Sequence, residues 1–377
     1  MKKHKVLFVI ESLGGGGAEK VLTTLLRHLD YSKFEVGLLS IADGGIHEAE
    51  LPKDVNYYSA LSRERQSHWW YRLKHRLIHR ILPMWLVNRW IMPRGYDTHV
   101  AFVEGFATKL VAAGPSCIRK IAWVHIDITL FPWTVSTGIF KDKRAEATAY
   151  SMYDRVVTVS RQLRDNFAAA YGIDAVAVYN PLDIKEILKA SEEAVDFPAK
   201  KALRIVSVGR LVEQKGYDRL IRCVARMRER GMDVELVILG EGNRRQTLER
   251  IVQEAGLNGI VHLAGYRNNP YPIMKTADVF VCSSLQEGFS LAIAEAMVLG
   301  LPVVSTRCTG PSELLGEGEY GLLTDNSEDG LTDGLMKMVS DTSLRESYSR
   351  MSLRRAAVFG VDASVWQVES ILKGDNL

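Results

Sequence analysis

A chain of 377 residues exceeds what one hydrophobic core usually organises, so two domains are expected. With 47% apolar and 25% charged residues it is neither disordered nor collagen-like, and no stretch nears the roughly 20 apolar residues that span a bilayer. Net charge is +3, and the four cysteines (Cys117, Cys223, Cys282, Cys308) stand singly without CxxC spacing, which excludes a zinc or disulfide scaffold and fits a reducing compartment.

The first apolar run, Lys5–Glu11, has strand length and is too short for a secretory signal. Ser12-Leu13-Gly14-Gly15-Gly16-Gly17-Ala18-Glu19-Lys20 then reads as a Gly-rich turn opening a helix over Ala18–Leu29. Glycine lets a ligand approach the backbone, and free N–H groups at a helix start attract anions. Gly16 and Gly17 are therefore candidate phosphate contacts, with a plain tight turn as the alternative. The turn matches neither the dinucleotide fingerprint, because Glu19 takes the third glycine's place counting from Gly14, nor the Walker A pattern. Further strands are expected at Phe34–Ile41, Val55–Ala60, Asp97–Val103, Lys120–His125, Arg155–Ser160 and Ala175–Tyr179, with a helix at Arg161–Tyr171.

Charge and aromatics concentrate between Arg63 and Arg94, a segment of net +7 that leaves the rest of the chain net −4. Trp69, Leu73, Leu77 and Ile81 recur every four residues, joined by Trp70, and Arg72, Arg76 and Arg80 run alongside. This predicts an amphipathic helix within 67–92, imperfect because Lys74 falls in the apolar arc, and ended or kinked at Pro83 before apolar Met84–Ile91. Trp69, Trp70, Arg72, Arg76 and Arg80 suit an anionic membrane surface or a lipid diphosphate; a core helix with snorkelling basic side chains is the alternative. Nucleic acid is not expected, since the remainder is acidic.

After Asn180-Pro181 the pattern loosens, and 184–201 reads as a linker between a first domain, 1–183, and a second, 202–360. Residues 361–377 read as a C-terminal helix able to cross back to the first domain. The second series has strands at Arg204–Gly209, Asp233–Gly240, Ile260–Gly265, Ala277–Ser283 and Pro302–Thr306, with helices at Tyr217–Arg230, Arg244–Ala255 and Leu291–Leu299. Strand–helix alternation in two series predicts an α/β chain of two doubly wound Rossmann-like domains, with ligand sites at the strands' carboxyl ends facing a central cleft.

Arg210 leaves the carboxyl end of the second series' first strand and Lys215 sits just before a helix, a pair of cations suited to a diphosphate. Further on, Ser283-Ser284-Leu285-Gln286-Glu287-Gly288-Phe289-Ser290 leads into a helix that Ser290 can cap. Glu287 lies in this loop, and Glu295 projects from the helix among Ala, Ile and Met. A carboxylate so placed is costly unless it accepts hydrogen bonds, for which paired sugar hydroxyls would serve; a solvated face is the bland alternative.

Glu287 and Glu295 are separated by seven residues, and with Gly209-Arg210, Lys215 and Gly14–Glu19 in order the chain resembles glycosyltransferase family 4, retaining enzymes of the GT-B fold. The resemblance runs from the first strand through Gly321-Leu322-Leu323. It implies that Arg210 and Lys215 hold the diphosphate of a nucleotide sugar and that Glu295 accepts the ribose hydroxyls. It places Glu287 beside the donor sugar as a catalytic candidate, and the N–H groups after Gly288, at Phe289 and Ser290, on sugar and phosphate. Leu263-Ala264-Gly265-Tyr266 resembles the segment bordering the base, making Tyr266 a donor contact. Trp123-Val124-His125-Ile126-Asp127 resembles the His-bearing strand end, making His125 the second catalytic candidate; a satisfied core histidine is the alternative. No metal or other cofactor is expected, because the Arg/Lys pair can neutralise the leaving diphosphate and no Asp-x-Asp pair is present. The expected acceptor is a lipid-linked or membrane-proximal glycan, met in the cytoplasm at the inner face of the inner membrane. A nicotinamide oxidoreductase is disfavoured by the incomplete glycine fingerprint. A sugar-nucleotide epimerase or binding-only relative on the same fold, or a glycosyltransferase acting on a soluble acceptor, stays open.

Overall fold

The structure, a computed structural model, describes residues 2–42, 44–61 and 68–375, without the side chains of His68 and Arg80. Arg63 and Arg65, part of the basic segment, lie outside the described residues, as does residue 67 at the start of the expected helix. The chain forms two compact units, Met1–Pro181 with Val361–Leu377, and Leu182–Gly360.

Seven strands build the first unit's sheet: β1 (His4–Ile10), β2 (Phe34–Ala42), β3 (Val55–Leu61), β4 (Thr98–Ala101), β5 (Arg119–Val124), β6 (Arg155–Thr158) and β7 (Ala175–Ala177). Their order is β3-β2-β1-β4-β5-β6-β7, every pair parallel. The continuous apolar runs follow from this: Val6–Ile10 of β1 is buried on both faces because helices cover both sides of a parallel sheet. The order reverses direction between β1 and β4, which makes their carboxyl ends the switch point where α/β sheets bind ligands. The Val361–Lys373 helix belongs to this unit, where Glu369 accepts the Asp30 N–H at 2.9 Å and Arg119 donates to the Ile371 carbonyl at 3.0 Å.

The second unit holds β8 (Leu203–Val208), β9 (Val234–Leu239), β10 (Val261–Gly265), β11 (Val279–Cys282), β12 (Val303–Thr306) and β13 (Leu322–Thr324), in the order β10-β9-β8-β11-β12-β13 and again all parallel. Its switch point lies between β8 and β11. Strand β13 is an addition to the five expected strands.

The segment expected as a linker is different. Asp183 accepts the Glu186 N–H at 2.9 Å and so starts a helix, Ile184–Ala190, inside the second unit. Its Ile187 is buried, and the Leu182 N–H reaches the Phe359 carbonyl at 2.9 Å, so the chain enters and leaves this unit side by side.

Candidate active site

In the second unit β8 ends at Val208, and Gly209-Arg210 turns away with Arg210 exposed. A single 3₁₀ turn, Glu213–Lys215, leads into Gly216 at φ 62°. A Cβ there would lie 2.4 Å from the Ser283 carbonyl oxygen, so this position demands glycine both for its backbone and for space. The close approach lays the loop after β11 on the Lys215 turn: Ser283 Oγ donates to the Lys215 carbonyl at 2.8 Å, and the Leu285 N–H to the Gln214 carbonyl at 2.7 Å.

That packing joins two predicted donor-site residues. Lys215 Nζ forms an ion pair with the Glu287 carboxylate, which also accepts the Ser284 hydroxyl at 2.8 Å. Burial alone would lower the Lys215 pKa, but the Glu287 charge, followed by Cys282 and Tyr217, carries it above its ordinary value, so the ammonium stays charged. Lys215, Ser284 and Ser290 line one small recess together with Ser207, Tyr217 and Ser283. Tyr266, after β10, is exposed, and neither it nor Arg210 lines this recess.

Glu295 is buried in the Leu291–Val298 helix and accepts the Tyr271 hydroxyl at 3.1 Å, so a tyrosine supports the expected ribose-binding carboxylate. Ser290 stands at the N-cap position, but its side chain makes no capping bond. Gly288 is overlaid by Gly310, whose N–H reaches the Glu287 carbonyl at 2.9 Å, and the Phe289 ring meets Phe359 edge-on at 5.7 Å. The Phe289 side chain is thus core, and what this residue can offer a ligand is its backbone.

Arg219 was not singled out by the sequence. Its buried guanidinium donates to the Ser283 carbonyl through Nε at 3.0 Å and to the Ser284 carbonyl through Nη2 at 3.0 Å. It fixes the loop that carries Glu287. Only its place in the helix just after Lys215-Gly216 hinted at this.

In the first unit, His125 follows β5. Its Nε2 lies 2.8 Å from the Phe102 carbonyl, which only accepts, so Nε2 carries the proton and Nδ1 the lone pair. Burial lowers the His125 pKa to about 4 against the raising effect of that bond, so the ring is neutral at pH 7 and can only accept at Nδ1. Glu104, at the exit of β4, accepts the His125 N–H at 3.0 Å, and Glu11, at the end of β1, accepts the Phe106 N–H at 2.9 Å. Burial pushes the Glu104 carboxyl up to about 7 and raises that of Glu11 as well. Neither carboxylate belongs to a recognisable spacing; both were missed.

Gly16 and Gly17 open the Gly17–His28 helix. A Cβ on Gly16 would lie 2.3 Å from Glu19 Oε2, the mobile end of a side chain that can swing aside, so packing does not by itself demand glycine here.

The basic-aromatic segment forms a helix over His68–Arg76 that widens into a π turn at Leu77–Ile81, and a second helix over Met84–Ile91 starts after Pro83. Trp69, Trp70, Trp85 and Trp90 are all more than half exposed, and Arg72 and Arg76 face solvent. The Lys74 ammonium lies 5.5 Å from the Trp90 ring, which accounts for a lysine in the apolar arc. The side chain of Arg80 lies outside the description. Among the described residues no helix is long and apolar enough to cross a membrane.

One titration follows directly from this geometry. His99 pairs in register with Lys120 and is buried; burial, then the Lys120 charge, lowers its pKa from 6.5 to about 4. Between those values the unfolded chain binds the extra proton, so the stability from neutral His99 is complete above pH 6.5 and lost as pH falls towards 4. In His99→Leu the dependence of unfolding free energy on pH should be shallower by about 1.4 kcal/mol per unit in this window. Urea unfolding at pH 6.5 and 4.5 measures it; an unchanged slope would show that His99 titrates normally in the fold.

With both strand-end constellations in place, comparison with known families decides the identity. A profile described as Glycosyltransferase Family 4 matches residues 15–186, and one described as Glycosyl transferases group 1 matches 189–354. The chain belongs to glycosyltransferase family 4. This transferase is 29% identical over 365 residues, 94% of its own chain and 96% of the relative, to the N-acetylgalactosamine-N,N'-diacetylbacillosaminyl-diphospho-undecaprenol 4-alpha-N-acetylgalactosaminyltransferase of Campylobacter jejuni. The lipopolysaccharide core biosynthesis glycosyltransferase LpsE of Rhizobium meliloti is 36% identical over 160 residues, 42% of the transferase and 46% of LpsE. Among solved structures, HepE of Anabaena in complex with UDP and glucose superposes with TM-score 0.77 at 20% identity, covering 98% of the transferase and 100% of HepE. That likeness establishes the GT-B fold.

Proposed function

We propose that the protein is a retaining hexosyltransferase moving a hexose or N-acetylhexosamine from a UDP-linked sugar to a lipid-linked or membrane-proximal glycan in cell-surface polysaccharide synthesis. The observation that carries this is the Lys215–Glu287 pair at the switch point of the second sheet, where the ammonium, held charged by the carboxylate, lines a recess together with several hydroxyls. Such a site matches a ligand that is anionic at one end and rich in hydroxyls at the other. Arg210 and Lys215 take the diphosphate, Glu295 the ribose, and Glu287 the sugar hydroxyls. The backbone at Gly288, Phe289 and Ser290 takes sugar and phosphate oxygens, and Tyr266 borders the base. In the first unit Gly16, Gly17 and His125 are the candidate contacts, His125 offering Nδ1 as a hydroxyl acceptor.

Transfer breaks the bond from the anomeric carbon to the diphosphate oxygen, which keeps the electron pair. The acceptor oxygen bonds to that carbon and its proton passes to the departing phosphate. New negative charge therefore develops beside Arg210 and Lys215, where each preorganised donor is worth roughly 10²–10³ in rate. The relatives support the choice of substrates: the Campylobacter protein's name describes a diphospho-undecaprenol acceptor, and HepE is complexed with UDP.

The test is a panel of nucleotide sugars with the purified protein, run in excess chelator, reading nucleoside diphosphate release. UDP-sugars should be consumed without added metal. Loss of all activity in chelator, restored by magnesium or manganese, would assign the neutralising charge to an ion. Release of nothing from any donor would leave the binding-only alternative.

Membrane docking rests on the exposed Trp69 and Trp70 beside Arg72 and Arg76. Each basic residue near an anionic surface contributes about 1 kcal/mol, screened as salt rises. Changing Arg72, Arg76 and Arg80 together to Gln should lower binding to anionic vesicles by about two orders of magnitude. Co-sedimentation at two salt concentrations reads it, and equal binding by wild type and triple mutant with no salt dependence would make the segment an ordinary structural helix and a soluble acceptor the better reading.

A further inference from the structure

We infer that Glu104 is a positioning residue for transfer: it holds the His125 backbone and so sets where the imidazole Nδ1 points. The inference rests on the reading of His125 as a donor-sugar contact. Two residues at the exit of β4, Phe102 and Glu104, grip His125 at two points. The Phe102 carbonyl takes the ring proton at Nε2, 2.8 Å away, and the Glu104 carboxyl takes the backbone N–H at 3.0 Å. Held at both ends, the imidazole has its Nδ1 direction fixed.

The grip is itself braced. Gly105 has φ 107°, and a Cβ on it would lie 2.9 Å from the Trp133 ring, so the chain reverses there in a way that only glycine allows. This reversal turns Glu104 towards β5. The next residue, Phe106, has its N–H held by Glu11 at 2.9 Å, and its ring lies against His79 of the basic-aromatic segment, centroids 4.3 Å apart and tilted by 46°. A carboxyl only 4% exposed is costly to keep in a fold. Its use here is as a strong acceptor at the point where the β5 ladder ends and His125 needs another partner. The upward shift of its pKa, driven by burial and opposed by the His125 N–H, agrees with that placement.

The experiment is steady-state transfer by Glu104→Ala, Glu104→Asp, Glu104→Gln, His125→Ala and the double variant Glu104→Ala/His125→Ala, each checked by thermal melting. Glu104→Ala should lower kcat by about 10- to 100-fold while donor KM changes by less than about twofold, the split expected when orientation and not ground-state binding is lost. Glu104→Gln keeps an oxygen at the same reach and should return kcat to within about threefold of wild type. Glu104→Asp keeps the charge but withdraws the oxygen, and should resemble Glu104→Ala. In the His125→Ala background, Glu104→Ala should cost almost nothing more, because the two act as one unit.

If His125→Ala has wild-type kcat, the reading of His125 fails, whatever Glu104 does. If His125→Ala is impaired but Glu104→Ala is not, or its loss adds in full to that of His125→Ala, the positioning role is overturned. Should Glu104→Ala fail to fold, wild-type kcat in Glu104→Asp would overturn it equally.

Discussion

Replacing Lys215 with Ala is expected to weaken binding of a nucleoside diphosphate by about 10- to 100-fold, since a charge-assisted contact is worth roughly 1.5–3 kcal/mol. The expectation depends on the ammonium being charged where it sits. Burial works against that charge, and Glu287 restores it. Transfer should fall further than binding, because the same charge also meets the diphosphate as it departs. Lys215→Arg is not a conservative control: a planar fork cannot occupy the place of a compact ammonium between Glu287 and the Ser283–Ser284 loop. Glu287→Gln removes the charge that holds the ammonium protonated, so it should weaken diphosphate binding as well as abolish transfer. Calorimetric titration with UDP reads the first effect, and undiminished affinity in Lys215→Ala removes this residue from the clamp.

The second large effect is on stability. Arg204 and Glu235 form a buried pair between β8 and β9, with Nε 2.6 Å from Oε1, and the guanidinium also donates to Thr276 Oγ1 at 2.6 Å and the Pro198 carbonyl at 2.7 Å. Both side chains are under one-tenth exposed, so solvent screens them little. Arg204→Leu strands a buried carboxylate and should destabilise the second unit by about 3–5 kcal/mol. Replacing both partners with Leu should recover most of the loss, because an uncompensated charge costs far more than an absent pair. Denaturant unfolding of the wild type and both variants decides this; equal losses in the single and double variants would show that the other hydrogen bonds of Arg204, not its charge pairing, hold the unit.

What the sequence disclosed and what it hid divide along a physical line. Strands such as Val6–Ile10 and Val234–Leu239 were legible because parallel strands buried on both faces are continuous apolar runs. Strand β13 was missed: three residues at a sheet edge carry too little pattern. The 184–201 segment read as linker because its helix buries chiefly Ile187, leaving its charged surface to dominate the composition. Glu287 and Glu295 were legible through a fixed spacing on one loop and helix. Their partners were not, because Lys215 lies 72 residues from Glu287 and Tyr271 24 residues from Glu295, and only the parallel pairing of β8 with β11 brings the first two together. Glu104 and Glu11 carried no signal at all. Their meaning comes from the sheet order, which makes β1 and β4 neighbours at a switch point although about 90 residues separate their ends in sequence.

The most direct test of retaining transfer at the Glu287–Glu295 site is the configuration of the new glycosidic bond. A UDP-α-sugar from the panel is incubated with the protein and a glycan acceptor, and the anomeric proton coupling of the isolated product is read by NMR, together with the UDP released. Retaining transfer gives an α-linked product and one UDP per bond formed. A β-linked product would contradict it, because inversion would need a base behind the sugar and a role for Glu287 other than steadying the reacting face.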